Sequence, residues 1–257
     1  LHGKYALVCG STQGIGRGIA LELAKLGANC ILLARNETAL QDVVAGLPKQ
    51  MDQQHSYAVA DFSDPQQVKA VAEELSSRYR ITILVNNTGG PAAGPISEAA
   101  TASFEAAFRQ HVLVNQLLVQ TLLPAMKADG FGRIINIIST SVKIPLPNLG
   151  VSNTIRGAVA SWAKTLSLEL AQFGITVNNV LPGFTNTARL DSLTATLAKN
   201  KGISIAEQAA AMAAEVPAKR FGTAAEIAAV AAFLATPAAA YVNGASIPVD
   251  GGRTGSI

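Results

Sequence analysis

Short apolar segments alternate with helical stretches along almost the whole chain, and this alternation narrows the possible folds more than any other feature. Apolar segments of strand length occupy 5–9, 29–34, 56–61, 81–87, 133–139, 175–181 and 245–249. Helices are predicted after Gly14, within 36–47, and over 64–79, about 101–127, about 152–173 and 223–235. Such alternation indicates parallel strands joined by right-handed crossovers, with helices on both faces of the sheet. The sequence therefore predicts an α/β fold in which residues 1–257 form one doubly wound domain.

One region interrupts this alternation. Residues 183–215 are rich in Thr, Ala, Asn and Lys, and only about 205–214 has a helical pattern. In a doubly wound fold, a long insertion beyond the carboxyl end of a strand lies over the ligand crevice. We expect a lid there, with a surface excursion of no function as the alternative.

Composition and charge exclude several classes of function. The net charge is only +3, and the Lys and Arg residues are scattered, which argues against nucleic acid as a partner. Cys9 and Cys30 lie within apolar segments and are expected to pack as small core residues. No signal pattern or membrane-spanning run is evident, so we expect a cytoplasmic protein without membrane attachment. We predict no metal ligands. The 49% hydrophobic content, with 14% charged residues, hints at contacts between subunits.

A glycine-rich turn follows the first predicted strand and opens the first predicted helix. Its sequence is GSTQGIG at 10–16. Gly10 permits a sharp turn, while Gly14 and Gly16 allow close approach of backbone to a pyrophosphate and of helix to strand. The free N–H groups at the start of the helix favour phosphate binding. A turn without a ligand is the alternative. The predicted binding residues here are Gly10, Ser11, Gln13, Gly14, Ile15 and Gly16.

The end of the second strand indicates which dinucleotide is bound. An acidic residue at this position would bind the ribose 2′-hydroxyl of NAD. This chain has Ala34 followed by Arg35, whose planar cation suits a 2′-phosphate, so NADP is favoured over NAD. A solvated Arg35 without this role is the alternative. Asp61 is placed to accept from the adenine amino group, and Asn36 and Phe62 are assigned to the same site. Ser63 or Asp64 is expected to cap the following helix.

Several motifs in register carry a resemblance to a known family. They are the glycine-rich turn, NNTG at 86–89, GRIINIIS at 132–139, LPG at 181–183 and VDGG at 249–252. In order and spacing they resemble the short-chain dehydrogenase/reductases, most closely the 3-oxoacyl-carrier-protein reductases. The resemblance implies a seven-stranded parallel sheet of the Rossmann type, a nicotinamide coenzyme across its carboxyl edge, and a homo-oligomer, either a tetramer or a dimer. It adds these coenzyme-binding residues: Asn87, Thr88, Gly89, Arg156, Pro182, Gly183 and Thr187.

The resemblance weakens at the catalytic positions. The family carries Tyr-x-x-x-Lys on the helix that begins near 152, and alignment on the flanking motifs places Ser152 and Arg156 there. Ser139 keeps the position of the family Ser, whereas His111 takes that of the family Asn. Asn115 would take it only if the helix register shifted by four residues. Thr88 and Cys9 are smaller departures, from the family's usual Ala and Thr.

These replacements change the available chemistry. The hydroxyl of Ser152 is shorter and far less acidic than a phenol, whose pKa is about 10, so it cannot replace the Tyr. Arg156 is permanently charged, and it can bind ribose hydroxyls or an anionic substrate but cannot relay protons. His111 titrates near pH 6.5 when unperturbed and could act as general acid through a bridging water. The alternative is that His111 has only a structural role and packs in an interface between helices. Lys143 is a second candidate for proton donation or anion contact, or is simply solvated.

Two hypotheses about function follow. In the first, the chain is an NADP(H)-linked oxidoreductase that reduces a carbonyl, or oxidises a hydroxyl, of a small molecule near Ser139, with proton delivery by His111, water or the substrate. In the second, the chain binds the dinucleotide without catalysis, as a sensor or as the partner subunit of a hetero-oligomer. Loss of an acid catalyst costs about 10²-fold to 10⁴-fold in the chemical step, while orientation of the carbonyl survives it. The oxidoreductase is therefore favoured.

Overall fold

A computed structural model describes residues 1–50 and 52–255, and in this part of the chain seven parallel strands form one sheet. Their order is β3-β2-β1-β4-β5-β6-β7, and every neighbouring pair is parallel. The strands are β1 (Tyr5–Cys9), β2 (Asn29–Ala34), β3 (Ser56–Val59), β4 (Ile81–Asn86), β5 (Gly132–Ile137), β6 (Ile175–Pro182) and β7 (Ser246–Val249). The order reverses direction between β1 and β4, the point at which doubly wound sheets bind ligands. The predicted fold class is confirmed.

Helices cover both faces of the sheet. They are α1 (Gly14–Lys25), α2 (Glu37–Ala45), α3 (Pro65–Arg78), α4 (Thr101–Phe108), α5 (Val114–Asp129), α6 (Gly150–Leu170), α7 (Ala188–Lys201), α8 (Ile205–Ala214) and α9 (Ala224–Ala235). One core joins α1, α2 and α9 to the sheet, and the other joins α3, α5 and α6 to the opposite face. Cys30 lies in the first core and Cys9 in the second, both as buried free thiols, as the sequence predicts.

The helix that the sequence predicts over about 101–127 is interrupted. Between α4 and α5, Arg109–Leu113 forms a turn of π-helix, which contains His111. A π-turn inserts one extra residue into the helical repeat, so the apolar residues of α4 and those of α5 do not continue in one 3.6-residue pattern. Periodicity read across the whole segment as one helix misses this insertion.

Region 183–215 contains more helix than the sequence predicts. Besides α8, which matches the predicted patch, α7 spans Ala188–Lys201. The side chain of Thr187 caps α7 by accepting from the backbone N–H of Leu190, and Leu190, Thr194 and Ala198 form its buried face at spacings of four residues. The buried face includes a Thr and an Ala, so hydropathy alone does not mark it. The function of this region as a lid stays a prediction.

A ladder of buried polar side chains crosses the carboxyl half of the sheet. Asn86 on β4 donates to the side-chain oxygen of Asn136 on β5 (2.8 Å), and Asn136 donates to that of Asn179 on β6 (3.0 Å). Asn179 in turn donates to the hydroxyl of Ser246 on β7 (3.0 Å). All four residues face one another in register. The ladder therefore stabilises the register of the four strands β4 to β7, whose ends carry the candidate site.

None of the helices within the described ranges combines the length and the apolar character that crossing a membrane requires.

Candidate active site

The glycine-rich turn between β1 and α1 is held against the end of β4. Gly10 has φ +59° and Gly14 has φ +54°, backbone conformations that favour glycine. A Cβ on Gly16 would collide with the carbonyl oxygen of Gly10, and a Cβ on Gly10 would collide with that of Asn87. The side-chain amide of Asn87 donates to the carbonyls of Cys9 (3.2 Å) and Gly10 (3.1 Å). The glycines therefore serve close backbone packing, as predicted.

The start of α1 has polar groups available to a ligand. Gln13 is the N-cap of α1, and its side chain makes no capping hydrogen bond. The first backbone N–H groups of the helix therefore lack a side-chain acceptor, the arrangement that binds phosphate groups. The hydroxyl of Ser11 is buried and has no partner among the described residues. This cradle, from which side chains are excluded by the glycines, fits the pyrophosphate of a dinucleotide.

A cavity of about 670 Å³, which we call the outer cleft, extends from this turn past the ends of β2 and β3. The predicted residues that line it are Gly10, Gln13, Arg35, Asn36, Asp61, Phe62, Thr88 and Gly89. The Nη1 of Arg35 lies 3.9 Å from Oδ2 of Asp61, a long ion pair, and the side chain is 79% exposed, so most of the guanidinium group is accessible to a further anion.

Two polar residues of the outer cleft also accept hydrogen bonds from backbone N–H groups nearby. The side chain of Asn36 caps α2 by accepting from the N–H of Ala39 (3.0 Å). Oδ1 of Asp61 accepts from both the N–H and the hydroxyl of Ser63 (2.8 Å each), and these bonds lower the pKa of Asp61. Asp64 caps α3, as predicted. Only Oδ2 of Asp61 is left for the adenine amino group.

A second cavity, of about 190 Å³, lies beyond the first, and we call it the inner cleft. It shares Thr88 and Gly90 with the outer cleft. The predicted residues that line it are Ile15, Asn87, Thr88, Ser139, Ser152, Arg156, Pro182, Gly183 and Thr187. The other predicted residues line neither cleft: Ser11, Gly14 and Gly16 lie in the glycine-rich turn and the first turn of α1, Asn115 is buried in α5, Lys143 lies exposed after β5, and His111 is described next.

His111 lies just behind the wall of the inner cleft. Its Nδ1 is 2.7 Å from the hydroxyl of Thr88, while Nε2 is buried without a partner among the described residues. Burial, followed by the positive charges of Arg156 and Arg189, lowers the pKa of His111 from 6.5 to about 3. The imidazole is therefore neutral near pH 7. The low pKa and the burial of His111 argue against an imidazolium acid at this position and agree with packing behind the cleft wall, and a role for His111 in proton delivery stays a prediction.

The two serines of the inner cleft come from β5 and α6. Ser139 follows β5, and its hydroxyl oxygen accepts from the N–H of Ser141 (3.1 Å), which leaves its proton free for donation. Ser152 lies in the first turn of α6, where its side chain is 8% exposed and lines the cleft. Neither hydroxyl has a basic or acidic side chain bonded to it among the described residues, so neither is activated as a nucleophile or acid.

Arg156, one turn after Ser152, fastens two strand ends together. Its Nη1 donates to the carbonyl of Ile137 (3.1 Å) and its Nη2 to that of Thr88 (3.3 Å). Burial and the nearby charge of Arg189 lower the pKa of Arg156 to about 10, so it stays cationic at neutral pH. The charge lies beside the inner cleft without acting as a proton relay.

Sequence reasoning missed further residues of the inner cleft. Arg189, in the first turn of α7, donates to the carbonyls of Gly90 (3.0 Å) and Pro91 (3.1 Å). Arg253 also lines the cleft and is paired with Glu215 (3.0 Å). The only sequence signal for Arg189 was its position two residues after Thr187, which is assigned to the nicotinamide, and this adjacency does not indicate a contact with Gly90.

An apolar groove of about 580 Å³ continues from the inner cleft along α7 and α8. The residues common to both are Leu146, Leu149, Phe184, Leu193 and Arg253. A substrate larger than the inner cleft therefore has room beyond it, in a region with the apolar lining that is usual for small-molecule sites.

Comparisons with known proteins agree with this architecture. Residues 10–254 match the family model described as Enoyl-(Acyl carrier protein) reductase. The NADPH-dependent reductase BacG of Bacillus subtilis is 32% identical, over 99% of this chain and 99% of that protein. The 3-oxoacyl-[acyl-carrier-protein] reductase FabG of Haemophilus influenzae is 34% identical, over 98% of each.

Solved structures are similar as well. The L-sorbose reductase of Gluconobacter frateurii, in complex with NADPH and L-sorbose, superposes with a TM-score of 0.93 at 31% identity, over 100% of this chain and 98% of that one. Both the family match and the full-length relatives agree with the motifs, so the chain belongs to the short-chain dehydrogenase/reductase family.

Proposed function

We propose that this chain is an NADP(H)-linked oxidoreductase that reduces a carbonyl group, or oxidises the corresponding hydroxyl, in the inner cleft. One observation carries the proposal: the outer and inner clefts meet at Thr88 and Gly90, which connects the phosphate cradle to Ser139, Ser152 and Arg156. A relative named as an NADPH-dependent reductase and a similar structure holding NADPH support the choice of coenzyme.

The residues of the outer and inner clefts fit the two ends of an NADP(H) molecule. The free N–H groups at the start of α1 would hold the pyrophosphate, and Arg35 would bind the 2′-phosphate through its exposed guanidinium group. Pro182, Gly183 and Thr187 line the inner cleft, where the nicotinamide would lie. When bound, the coenzyme supplies the hydride.

Proton delivery in this proposal differs from that of the family. Ser152 and Arg156 stand where the family carries its Tyr and Lys, and His111 is neutral near pH 7. We infer that water in the inner cleft supplies the proton, oriented by the hydroxyls of Ser139 and Ser152. The fixed positive charge of Arg156 stabilises the oxyanion that develops on the substrate, a contribution that does not require transfer of its own proton.

We also propose that region 183–215 acts as a lid and that the chain forms a homo-oligomer. The first rests on α7, which contributes Leu190, Leu193 and Arg189 to the inner cleft. The second rests on the composition, 49% hydrophobic and 14% charged residues, and Leu168 on α6, which is 71% exposed, is one apolar side chain that such a contact would cover. Sedimentation velocity tests the assembly, and a monomer at micromolar concentration would contradict it.

The experiment that tests the function compares wild type with two variants on a panel of small ketones, following NADPH absorbance. Wild type is expected to consume NADPH slowly. Ser152→Tyr combined with Arg156→Lys restores the family's acid and is expected to raise turnover by about 10²-fold or more. Ser152→Ala removes only an orienting hydroxyl and is expected to lower turnover by less than about tenfold. Tight NADPH binding, with consumption by the double variant alone, would instead identify a non-catalytic binding protein.

A further inference from the structure

Two guanidinium groups meet at one glycine of the inner cleft. A Cβ built on Gly90 would lie 2.8 Å from Nη2 of Arg189 and 3.5 Å from Nη2 of Arg156. Both arginines line the inner cleft, and neither lines the outer one. Arg156 is 8% exposed, whereas Arg189 reaches solvent at the mouth. Two positive charges therefore stand close together, one inside the cleft and one at its entrance.

No acidic side chain balances these charges within residues 1–50 and 52–255. The ion pairs of this part of the chain include neither Arg156 nor Arg189. The described lining of the inner cleft contains no Asp or Glu. Arg253 differs, because Glu215 neutralises it at 3.0 Å. Like charges in a partly desolvated site are unfavourable, and an anion between them would relieve the repulsion.

Both guanidinium groups keep donors for such an anion. Each donates to two backbone carbonyls, those of Ile137 and Thr88 for Arg156 and those of Gly90 and Pro91 for Arg189. A guanidinium group has five N–H donors in a planar fork, so each retains further donors after these bonds. A planar carboxylate accepts such donors in pairs.

We propose that Arg156 and Arg189 bind the carboxylate of an oxo acid substrate, or of the corresponding hydroxy acid, whose reacting carbon lies near Ser139. This inference rests on the proposed function and gives its substrate class. The anion is assigned to the substrate because Arg35 lies in the outer cleft and the phosphate cradle lies at the turn between β1 and α1, from which, among the described residues of α1, Ile15 alone borders the inner cleft.

The test compares acids with their uncharged methyl esters. The ligands are 2-oxobutanoate, 3-oxobutanoate and the two methyl esters, titrated by calorimetry into protein saturated with NADP⁺, in which the oxo compounds cannot be reduced. Wild type is expected to bind at least one acid about tenfold or more tightly than its ester, the effect of a charged hydrogen bond. Arg189→Met is expected to reduce this preference to about twofold or less.

Two further variants distinguish the loss of the positive charge at position 189 from a change in the fold of the loop after β4. Arg189→Gln keeps an amide donor for the carbonyls of the loop after β4 and is expected to lose the preference as Arg189→Met does, whereas Arg189→Lys keeps the charge and is expected to retain part of it. Arg78→Met is the matched control. This exposed arginine lies at the end of α3, paired with Glu74, and its loss is expected to leave the preference for acids intact.

Equal binding of acid and ester by wild type would overturn the proposal, as would equal effects of Arg189→Met and Arg78→Met. A loss of NADPH affinity in Arg189→Met as large as its loss of carboxylate affinity would assign the anion to the coenzyme pyrophosphate instead. If wild type binds no NADPH, the proposed function fails. The acids and esters are then titrated into the coenzyme-free protein, where a preference for acids that depends on Arg189 still supports the anion site.

Discussion

At the scale of single residues, two departures from the family pattern prove to be physically connected. Thr88 and His111 are replacements far apart in sequence, yet the hydroxyl and Nδ1 lie 2.7 Å apart behind the inner cleft. The hydrogen bond explains why the two replacements are compatible. It also places the imidazole in the wall of the site, where burial controls its protonation.

The low pKa of His111 predicts a specific dependence of stability on pH. The folded value of about 3 lies below the unfolded value of 6.5, so the unfolded chain binds more protons between these limits. The contribution to stability is fully present above pH 6.5 and is lost as the pH falls towards 3. This residue alone gives a slope of up to about 1.4 kcal/mol per pH unit.

Urea unfolding of wild type and His111→Asn at a series of pH values measures this slope. The Asn variant cannot titrate and is expected to lose less stability on acidification. Parallel curves for the two proteins would contradict the assigned pKa, as would an NMR titration of the His111 ring with a midpoint near 6.5.

Arg35 is expected to decide the choice between NADPH and NADH. Replacement by Ala removes the cation that we propose binds the 2′-phosphate, so the Kd for NADPH should rise by about tenfold to 100-fold while that for NADH changes little. Coenzyme fluorescence measures both constants. Arg78→Ala, which removes a charge from the end of α3, serves as the control. An equal loss of affinity for the two coenzymes in Arg35→Ala would show that this residue does not contact the 2′-phosphate.

Residues whose role depends on the local backbone conformation were predictable from the sequence. Residues whose role depends on contacts between distant segments were not. Gly10 and Gly16 follow from a turn between strand and helix, because few residues other than glycine fit it. The position of His111 behind the cleft depends on the π-turn, and the importance of Arg189 depends on α7 folding towards Gly90. Neither contact leaves a periodic signal in the sequence.

At the scale of elements, the junction of β1 and α1 is the least tolerant of added atoms. A Cβ at position 16 would overlap the carbonyl oxygen of Gly10. Gly16→Ala is therefore expected to destabilise the protein by about 1–3 kcal/mol and to weaken NADPH binding, because the turn must shift. Gly157→Ala on α6 is the control: nothing lies within 4 Å of its added Cβ. Thermal unfolding should show stabilisation by about 0.5–1 kcal/mol for this control.

The polar ladder across β4 to β7 gives a second prediction at this scale. Asn136→Ala removes the central member and leaves Nδ2 of Asn86 and Oδ1 of Asn179 without their partners. Each unsatisfied buried group costs about 1–3 kcal/mol. The hydroxyl of Thr82 on β4 is buried and has no partner among the described residues, so Thr82→Val is expected to be neutral or stabilising. Comparable losses in urea unfolding for the two variants would contradict the importance of the ladder.

At the scale of the whole molecule, the alternation of strands and helices was sufficient to predict a parallel sheet. Adjacent parallel strands need a crossover connection, and the crossover helices cover both faces of the sheet. The glycine-rich turn indicated where the dinucleotide binds, and the structure places this turn beside the switch point between β1 and β4. The inner cleft required the structure, since its walls come from segments as distant as Asn87, Ser152 and Arg189. The combination of coenzyme cradle, serine hydroxyls and fixed cations appears only when these segments are brought together.

The most direct test of hydride transfer by this protein uses NADPH deuterated at the nicotinamide C4, followed by mass spectrometry of the product. A panel of oxo acids and their methyl esters is incubated with wild type and, separately, with the Ser152→Tyr and Arg156→Lys double variant. Deuterium is expected on the former carbonyl carbon of at least one product of wild type. Labelled product from the double variant alone, while wild type binds NADPH tightly, would contradict it.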